Sequence, residues 1–336
     1  MSYPQVKFYQ TGTFTVGNRL LNENNQTIQS QRDRTNSLNS GHRACQGCGE
    51  ALGARYAVDA AMRAANKNLV AVNATGCLEV FSSPYPESAW QIPWMHSLFG
   101  NAPAVASGVA AAMRAKGKKE TKVIAQGGDG ATVDIGFGCL SGMFERNDDV
   151  LYICYDNEAY MNTGVQRSGS TPARAWTNTT QAVGPEPGNP VGVGKNLPAI
   201  AMAHGIPYVA TSSVADLHDL EAKVTKAMDI RGARYIHIHV PCPLGWKSDP
   251  ALTIKVARMA VESGLFPLFE AEHGAVVDRT PIRRKVSVER YLELQGRFKH
   301  LFGDPPDTTG IAAIQAIADA NIQQYGLREQ EQERGT

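Results

Sequence analysis

The sequence predicts an α/β fold in which a doubly wound, mostly parallel sheet carries helices on both faces. Short apolar runs alternate with helix-like segments through the middle of the chain, and this alternation is typical of parallel strands buried between helices. Several runs end in glycine or polar residues, at the positions where ligands bind in such sheets. The chain has 336 residues, 43% of them hydrophobic, which suffices for one large domain or two modest ones.

The alternating region begins with a helix of small residues over 51–66, followed by an apolar run at 69–72 that predicts a buried strand. An alanine-rich segment at 102–115 predicts the next helix. The apolar run at 122–125 predicts a strand that ends at Gly128-Asp129-Gly130. The helices and strands therefore already alternate in this first part.

The same order continues downstream. A helix is predicted over 135–144 and a strand over 150–155, where the run is apolar and aromatic throughout. The later predicted elements are a helix at 197–203, a strand at 208–210, a helix at 215–228 and a strand at 235–240.

Three regions depart from this pattern. Residues 1–43 are polar and rich in Asn, Gln and Ser, so we expect an N-terminal arm across a partner, or a tail, which the composition favours. Residues 161–195 form a long loop rich in Gly, Thr and Pro, and loops of this length are usually functional or disordered. Residues 251–336 predict two or three amphipathic helices and a charged tail, that is, a C-terminal helical extension packed on the main domain or on partners.

Charge and hydropathy exclude several classes of function. The net charge is +1 and the pI is about 7.7, so bulk charge favours neither a nucleic acid nor a membrane surface as partner. The longest uncharged apolar helical segment, 102–113, is shorter than the roughly 20 residues that span a bilayer. No signal peptide is visible, so we expect a cytoplasmic protein whose six cysteines are ligands, nucleophiles or core residues rather than disulfides.

Two polar turns predict a site for a divalent cation and a diphosphate. Gly128-Asp129-Gly130 follows one strand, and Asp156-Asn157 ends the next strand about 25 residues later. A carboxylate and an amide oxygen at neighbouring strand ends can both ligate Mg²⁺, which also keeps phosphate oxygens as ligands. The glycines allow backbone amides to approach a diphosphate, and the helix expected from Asp134 would point its positive end there. A plain strand-to-helix turn is the alternative.

Four cysteines lie at positions that suggest loops at one edge of the sheet. Cys45 and Cys48 form a CxxC pair, Cys77 follows a strand, and Cys242 ends another strand. Four thiolates form the usual site for a [4Fe–4S] cluster and also for structural zinc. A zinc ribbon would pair two CxxC units, which this chain lacks.

The other candidate ligands favour structural roles. Cys139 lies on a predicted helix and Cys154 within an apolar strand, so both are interpreted as core residues. His237 and His239 alternate along a strand and therefore share one face. We interpret them as hydrogen-bonded structural histidines, with metal ligation as the alternative.

Together, these motifs resemble the thiamine diphosphate-binding β subunit of the pyruvate:ferredoxin oxidoreductase family, the 2-oxoacid:acceptor oxidoreductases. The resemblance extends from Ala44 to Phe302 and is most specific at residues 156–166, Asp-Asn-Glu-Ala-Tyr-Met-Asn-Thr-Gly-Val-Gln. CxxC-Gly-Glu, Gly-Cys and Cys-Pro match the pattern of the family's proximal cluster. The turn Asp156-Asn157-Glu158 departs from the Asn-Asn of many thiamine enzymes.

The resemblance implies thiamine diphosphate, Mg²⁺ and one [4Fe–4S] cluster as cofactors, bound by an α/β domain at residues 44–250. Asp129 and Asn157 would ligate Mg²⁺ with their side chains and Ala159 with its carbonyl, while Asn162 would be catalytic and orient the substrate. The implied cluster ligands are Cys45, Cys48, Cys77 and Cys242. The implied cofactor-binding residues are Glu50, Cys77, Gly128, Asp129, Gly130, Ala131, Asn157, Glu158, Ala159, Tyr160 and Asn162.

The resemblance also implies an enzyme subunit that oxidatively decarboxylates a 2-oxoacid to acyl-coenzyme A and CO₂ and passes electrons to ferredoxin or a similar carrier. Pyruvate is the first expectation; phenylglyoxylate, another aromatic 2-oxoacid, oxalate and branched-chain 2-oxoacids are alternatives. The implied partners are an α subunit with the activating Glu and much of the substrate pocket, a γ subunit and a ferredoxin-like cluster-bearing subunit. The competing classes are a non-oxidative thiamine decarboxylase half, which would not need four cysteines, and a non-catalytic scaffold.

Overall fold

A computed structural model describes residues 36–84 and 88–328. Eight strands form one sheet in the order β2-β1-β3-β4-β6-β5-β7-β8. The first six pair in parallel and the last two are antiparallel. The strands are β1 Leu69–Asn73, β2 Trp94–His96, β3 Lys122–Gly128, β4 Leu151–Asp156, β5 Tyr208–Ser213, β6 Arg234–His239, β7 Phe269–Glu272 and β8 Ala275–Arg279.

Helices cover both faces of this sheet. They are α1 Gly49–Ala64, α2 Cys77–Ser82, α3 Ala102–Ala115, α4 Phe137–Glu145, α5 Leu197–Ala203, α6 Leu217–Asp229, α7 Pro243–Trp246, α8 Thr253–Ser263, α9 Val288–Leu292 and α10 Thr308–Tyr325. Among the described residues, none of the helices combines the length and apolarity needed to cross a bilayer.

Alternation along the central strands divides the core into two layers. Ile153 of β4 packs with α1 and α6, whereas its neighbours Tyr152 and Cys154 pack with α3, α4 and α5 on the opposite face. Successive side chains of a strand point to opposite faces, so a fully buried strand such as β4 needs apolar residues at almost every position. This confirms the predicted doubly wound fold.

A third apolar cluster joins the C-terminal extension to the domain. Trp246 packs with Phe298, Ile314 and their neighbours around α8, α9 and α10. The extension also adds the hairpin β7–β8 to the sheet beside β5. The extension thus contains the predicted helices and, in addition, a hairpin that the sequence did not predict. The strands escape the hydropathy pattern because they have four and five residues and every residue of β8 is exposed.

Other differences from the predicted elements concern short segments. A π-helical turn at Gly130–Asp134 precedes α4, so the backbone winds directly after Asp129 rather than from Asp134 onward. The elements α2 and β2 are too short to show a period. Of the predicted arm, residues 1–35 lie outside the described part of the chain, and Leu38 is buried beside Trp90.

Candidate thiamine and cluster site

The carboxyl ends of β3 and β4 meet in a pocket that contains the predicted Mg²⁺ ligands. It is lined by Glu50, Thr75, Gly76, Cys77, Phe99, Gly128, Asp129, Gly130, Ala131, Asn157, Ala159, Tyr160, Met161, Asn162 and Thr163. Ten of the eleven predicted cofactor-binding residues are in this set, and only Glu158 is not. We refer to these residues as the turn pocket.

Asp129 is a buried carboxylate without a cationic partner among its recorded contacts. It is 1% exposed, and Ser168 Oγ donates a hydrogen bond to its Oδ2 at 2.5 Å. Burial, followed by the nearby Asp156 carboxylate, raises the pKa of Asp129 well above its usual value, while Ser168 acts in the opposite direction. A bound cation would relieve this desolvated charge.

Asn157 has a side-chain oxygen that is available for a ligand. The residue is 4% exposed, and its Nδ2 donates to Glu50 Oε2 at 3.1 Å. Its Oδ1 is buried and has no hydrogen-bond partner in the structure. A buried acceptor without a partner is costly, and a metal ion would satisfy it.

Glu50 lies at the start of α1 and faces the same pocket. Burial raises the pKa of Glu50 to about 7, against smaller lowering contributions from the Asn157 amide and the Leu78 backbone N–H. This carboxyl group therefore exchanges its proton close to neutral pH, which suits a group that holds or releases protons beside a cofactor.

Close approach of the Tyr160 ring explains the glycine at position 130. A Cβ built there would lie 2.5 Å from Cε1 of Tyr160, whose hydroxyl donates to the Gly130 carbonyl at 3.1 Å. The turn after β4 therefore packs directly against the turn after β3, which brings the two predicted motifs together.

The four predicted cluster ligands surround a second pocket beside the first. Its lining is Arg43, Cys45, Cys48, Glu50, Cys77, Val80, Phe81, Asn157, Asn162, Val240, Pro241, Cys242 and Pro243. We refer to these residues as the cysteine pocket. Glu50, Cys77, Asn157 and Asn162 line both pockets.

Three of the four thiols lie at helix N-termini, since Cys48 and Cys242 are the N-terminal caps of α1 and α7 and Cys77 is the first residue of α2. Cys48 Sγ accepts from the Ala51 N–H and Cys242 Sγ from the Gly245 N–H, both at 3.4 Å. Burial is the main cause that raises the pKa of Cys48 to about 12 and that of Cys242 to about 11, and it raises the pKa of Cys77 as well. These sulfurs become thiolates only with a compensating positive charge, such as bound metal.

No mononuclear chelate site is formed around these groups. Within residues 36–84 and 88–328, no set of three or more His, Cys, Asp or Glu side chains is placed to hold a metal ion. The four thiols therefore share a pocket, but they are not among any such set.

The other cysteines and the strand histidines lie elsewhere. Cys154 is buried in β4, while Cys139 on α4 is half-buried. His237 is hydrogen-bonded to Asp156 and to Tyr235, which confirms its structural interpretation. His239 is 1% exposed and neither of its ring nitrogens has a hydrogen-bond partner; Glu158 Oε1 lies 3.6 Å from its Nε2.

Comparison with known proteins assigns the family. Residues 74–238 match the family model described as thiamine pyrophosphate enzyme, C-terminal TPP binding domain. The chain is 50% identical over 292 residues to pyruvate synthase subunit PorB of Methanosarcina barkeri, which covers 87% of this chain and 97% of that protein. This chain belongs to the thiamine diphosphate-binding β subunits of 2-oxoacid:ferredoxin oxidoreductases.

Two further similarities are to a second curated relative and to a solved structure. Ketoisovalerate oxidoreductase subunit VorB of Pyrococcus abyssi is 43% identical over 269 residues, covering 78% of this chain and 85% of that protein. A chain of the 2-oxoglutarate:ferredoxin oxidoreductase of Magnetococcus marinus, solved with 2-oxoglutarate, coenzyme A and succinyl-CoA bound, has a TM-score of 0.51 at 24% identity. The match covers 70% of this chain and 81% of the Magnetococcus chain, and it supports the fold alone. The predicted family, fold and oxidoreductase class are confirmed.

Several residues of this β subunit's site carry no motif. Ser168 and Thr171 lie in the long loop, and Thr171 Oγ1 donates to the Glu158 carbonyl at 2.7 Å. Glu158 itself turns away from the turn pocket and forms a buried ion pair with Arg297. Burial alone would raise the pKa of Glu158, but Arg297 and then His239 hold it below its usual value. Spacing along the sequence gives no signal for a contact such as Glu158–Arg297, which joins residues 139 positions apart.

Proposed function

We propose that this chain is the subunit that binds thiamine diphosphate, Mg²⁺ and one [4Fe–4S] cluster in a complex that oxidises pyruvate to acetyl-coenzyme A and CO₂. The observation that carries the proposal is the shared wall between the turn pocket and the cysteine pocket, formed by Glu50, Cys77, Asn157 and Asn162. A cofactor in one pocket and a cluster in the other would be in direct contact with the same side chains. Bound thiamine diphosphate supplies the electron sink for decarboxylation, and a cluster beside it accepts the released electrons.

The residues of the turn pocket fit a hydrated Mg²⁺ bound to a diphosphate. Asp129 would contribute one carboxylate oxygen, Asn157 its unpaired Oδ1, and Ala159 its backbone carbonyl, all of them hard oxygen ligands. Gly128, Gly130 and Ala131 would allow backbone amides to approach the phosphates. Tyr160 would close the pocket over Gly130.

Asn162 and Glu50 are the chain's own polar groups toward the reacting end of the cofactor. The Asn162 amide would donate a hydrogen bond to the substrate and orient it. Glu50 would hold a proton at its carboxyl group near neutral pH, consistent with its pKa of about 7. We propose that Glu158 supports the pocket from behind rather than touching the cofactor, since its side chain pairs with Arg297.

The cysteine pocket favours a cluster over zinc. Tetrahedral zinc with Zn–S bonds of about 2.3 Å requires sulfurs roughly 3.8 Å apart. A zinc ribbon would supply these sulfurs from two CxxC units, whereas this chain has one CxxC pair, Cys45 and Cys48, and the single cysteines Cys77 and Cys242. A polynuclear cluster places its four ligands around a larger core, which suits thiols that surround a pocket.

Exposed apolar residues near the turn pocket support a partner subunit there. Leu98, which precedes the pocket residue Phe99, is 73% exposed, and Ile135, which follows the Gly130–Asp134 turn, is 62% exposed. Exposed apolar clusters often mark interfaces, and the related chains are themselves named as subunits. We propose an α subunit that supplies the activating Glu and much of the substrate pocket, together with a γ subunit and a ferredoxin-like cluster-bearing subunit.

The proposed domain arrangement follows the sequence boundaries. Residues 44–250 would hold the cofactors, and residues 251–336 would stabilise them from the C-terminal side, as the contact of Trp246 with Phe298 and Ile314 suggests.

A substrate panel tests the proposed activity. The purified complex would be assayed anaerobically with coenzyme A and viologen against pyruvate, ketoisovalerate, 2-oxoglutarate, phenylglyoxylate and oxalate. We expect the highest kcat/KM with pyruvate. A higher value with another acid would overturn the pyruvate assignment and keep the oxidoreductase class, whereas CO₂ release without viologen reduction would favour a non-oxidative decarboxylase.

A further inference from the structure

The turn that carries Asn157 is fixed from its far side by contacts outside both pockets. Asn157 faces the turn pocket, whereas the side chains of Asp156 and Glu158 line a separate cavity of about 200 Å³ that includes His239. The side chains on both sides of the proposed Mg²⁺ ligand therefore point away from the turn pocket. The contacts that fix Asp156 and Glu158 also determine the position of Asn157.

Asp156 is held by the adjacent strand and by the turn itself. Its Oδ2 lies 2.7 Å from His237 Nε2, and the other ring nitrogen of His237 lies 2.6 Å from the Tyr235 hydroxyl. The other carboxylate oxygen of Asp156, Oδ1, accepts a hydrogen bond from the Glu158 backbone N–H at 2.8 Å. These bonds fix the first half of the turn.

Glu158 is held by the C-terminal extension. Arg297 is 2% exposed and forms an ion pair with the Glu158 carboxylate. The Arg297 guanidinium also bonds Gln295 Oε1 and lies 3.8 Å from the centre of the Trp246 ring. Glu158 has a φ of +66°, a left-handed conformation that costs energy for a residue other than glycine. The ion pair helps to stabilise this backbone conformation.

Trp246 holds the middle of the turn. Its Nε1–H donates to the backbone carbonyl of Asn157 at 2.8 Å, and its side chain is fully buried. Trp246 ends the helix whose N-terminal cap is Cys242, and its backbone N–H bonds the Cys242 carbonyl at 2.8 Å. One short helix thus joins a proposed cluster ligand to the residue behind a proposed metal ligand.

We infer that Trp246 and Arg297 are positioning residues that hold the 156–158 turn so that Asn157 Oδ1 points into the turn pocket. The inference rests on the proposed function of Asn157 as a Mg²⁺ ligand. Residues that orient a metal ligand through hydrogen bonds commonly change metal affinity by 10–100-fold when they are replaced. A role in orientation alone would weaken cofactor binding while leaving the cluster and the fold in place.

The substitution Trp246→Phe isolates the hydrogen bond, because the aromatic packing largely remains and the N–H donor is lost. Arg297→Lys is the second variant; it keeps the positive charge but loses the planar guanidinium, whose Nη2 contacts the Glu158 carboxylate and whose Nε and Nη2 both donate to Gln295 Oε1. Trp90→Phe is the matched control, since Trp90 is 5% exposed and its Nε1 donates to Ser82 Oγ at 2.8 Å, away from the turn.

The measurement is retention of thiamine diphosphate by the purified complex as a function of Mg²⁺ concentration. We expect Trp246→Phe and Arg297→Lys to raise the half-saturating Mg²⁺ concentration about tenfold or more, and Trp90→Phe to leave it unchanged. Turnover at saturating Mg²⁺ and thiamine diphosphate should stay within a few-fold of wild type. The cluster absorbance and the thermal midpoint should stay at wild-type values.

Two results would overturn this inference, and a third would instead reject the proposed metal site. An unchanged Mg²⁺ dependence in both variants would show that the turn needs neither residue. Parallel loss of cluster absorbance and cofactor in both variants would show a general structural role. If the wild-type complex retained the cofactor without any divalent cation, the proposed metal site itself would be wrong.

Discussion

Removal of the Ser168 hydroxyl should weaken the metal site by a calculable amount. Ser168→Ala deletes the one side-chain hydrogen bond recorded to the buried Asp129 carboxylate. A hydrogen bond to a charged group contributes about 1.5–3 kcal/mol, and each 1.36 kcal/mol corresponds to one pKa unit. Loss of this bond should therefore raise the pKa of Asp129 further, in the direction in which burial and Asp156 already shift it.

The consequence is a shift in the pH dependence of cofactor binding. Mg²⁺ binds the ionised carboxylate, so protonation of Asp129 competes with the metal as the pH falls. Ser168→Ala should move the acid limb of Mg²⁺-dependent thiamine diphosphate binding upward by about one to two pH units. Equilibrium dialysis of the complex at subsaturating Mg²⁺ across the pH range measures the limb.

The matched control is Ser141→Ala on α4, outside both pockets. It removes a half-buried hydroxyl that lies 3.2 Å from His204 Nε2. It should leave the limb in place. If Ser168→Ala gave the same acid limb as Ser141→Ala, the assignment of Asp129 as a carboxylate ligand that depends on Ser168 would be refuted.

Three further predictions concern the remaining groups of the site. Burial raises the pKa of Glu50 in the folded state to about 7, from its usual value of 4.5. Between these pH values the folded state keeps a proton that the unfolded state releases, so the stability falls as the pH rises through this window. By that linkage, the change in the free energy of unfolding that Glu50→Gln causes in the cofactor-free subunit should be about 3 kcal/mol more favourable at pH 8 than at pH 4. Urea unfolding at the two pH values measures this difference, and equal changes at both would contradict the prediction. Asn162→Ala should lower kcat of the complex about 100-fold or more with little effect on cofactor content, because a hydrogen-bond donor to the transition state is lost. Steady-state kinetics and cofactor analysis of the same preparation measure both quantities. Normal turnover would show that Asn162 is a packing residue. The isolated subunit, reconstituted with iron, sulfide, Mg²⁺ and thiamine diphosphate, should not oxidise 2-oxoacids in a viologen assay, and activity from the chain alone would disprove the proposed half-site.

The sequence predicts the core of the site well because strand ends are visible in it. Asp129 and Asn157 follow apolar runs whose pairing in parallel forces their carboxyl ends to one edge. Cys77 and Cys242 follow strands in the same way, so their presence in one pocket with Cys45 and Cys48 follows from topology.

The supporting residues were not predictable by the same reasoning. Ser168 reaches Asp129 from a loop without a period, and Arg297 reaches Glu158 from a 3₁₀ segment far along the chain. Glu158 was expected at the cofactor because it lies within the motif. Its left-handed backbone instead turns the side chain to the far side, and a linear motif contains no information on that direction.

The central claim is that the cysteine pocket holds a [4Fe–4S] cluster beside the thiamine site. The most direct measurement is the iron, zinc and EPR analysis of the anaerobically purified complex with Cys242→Ser, compared with Cys139→Ser, which alters a half-buried cysteine outside the pocket. We expect Cys242→Ser to lose about four irons and one cluster signal per subunit, and Cys139→Ser to lose none. Loss of one zinc with no change in iron on Cys242→Ser would contradict it.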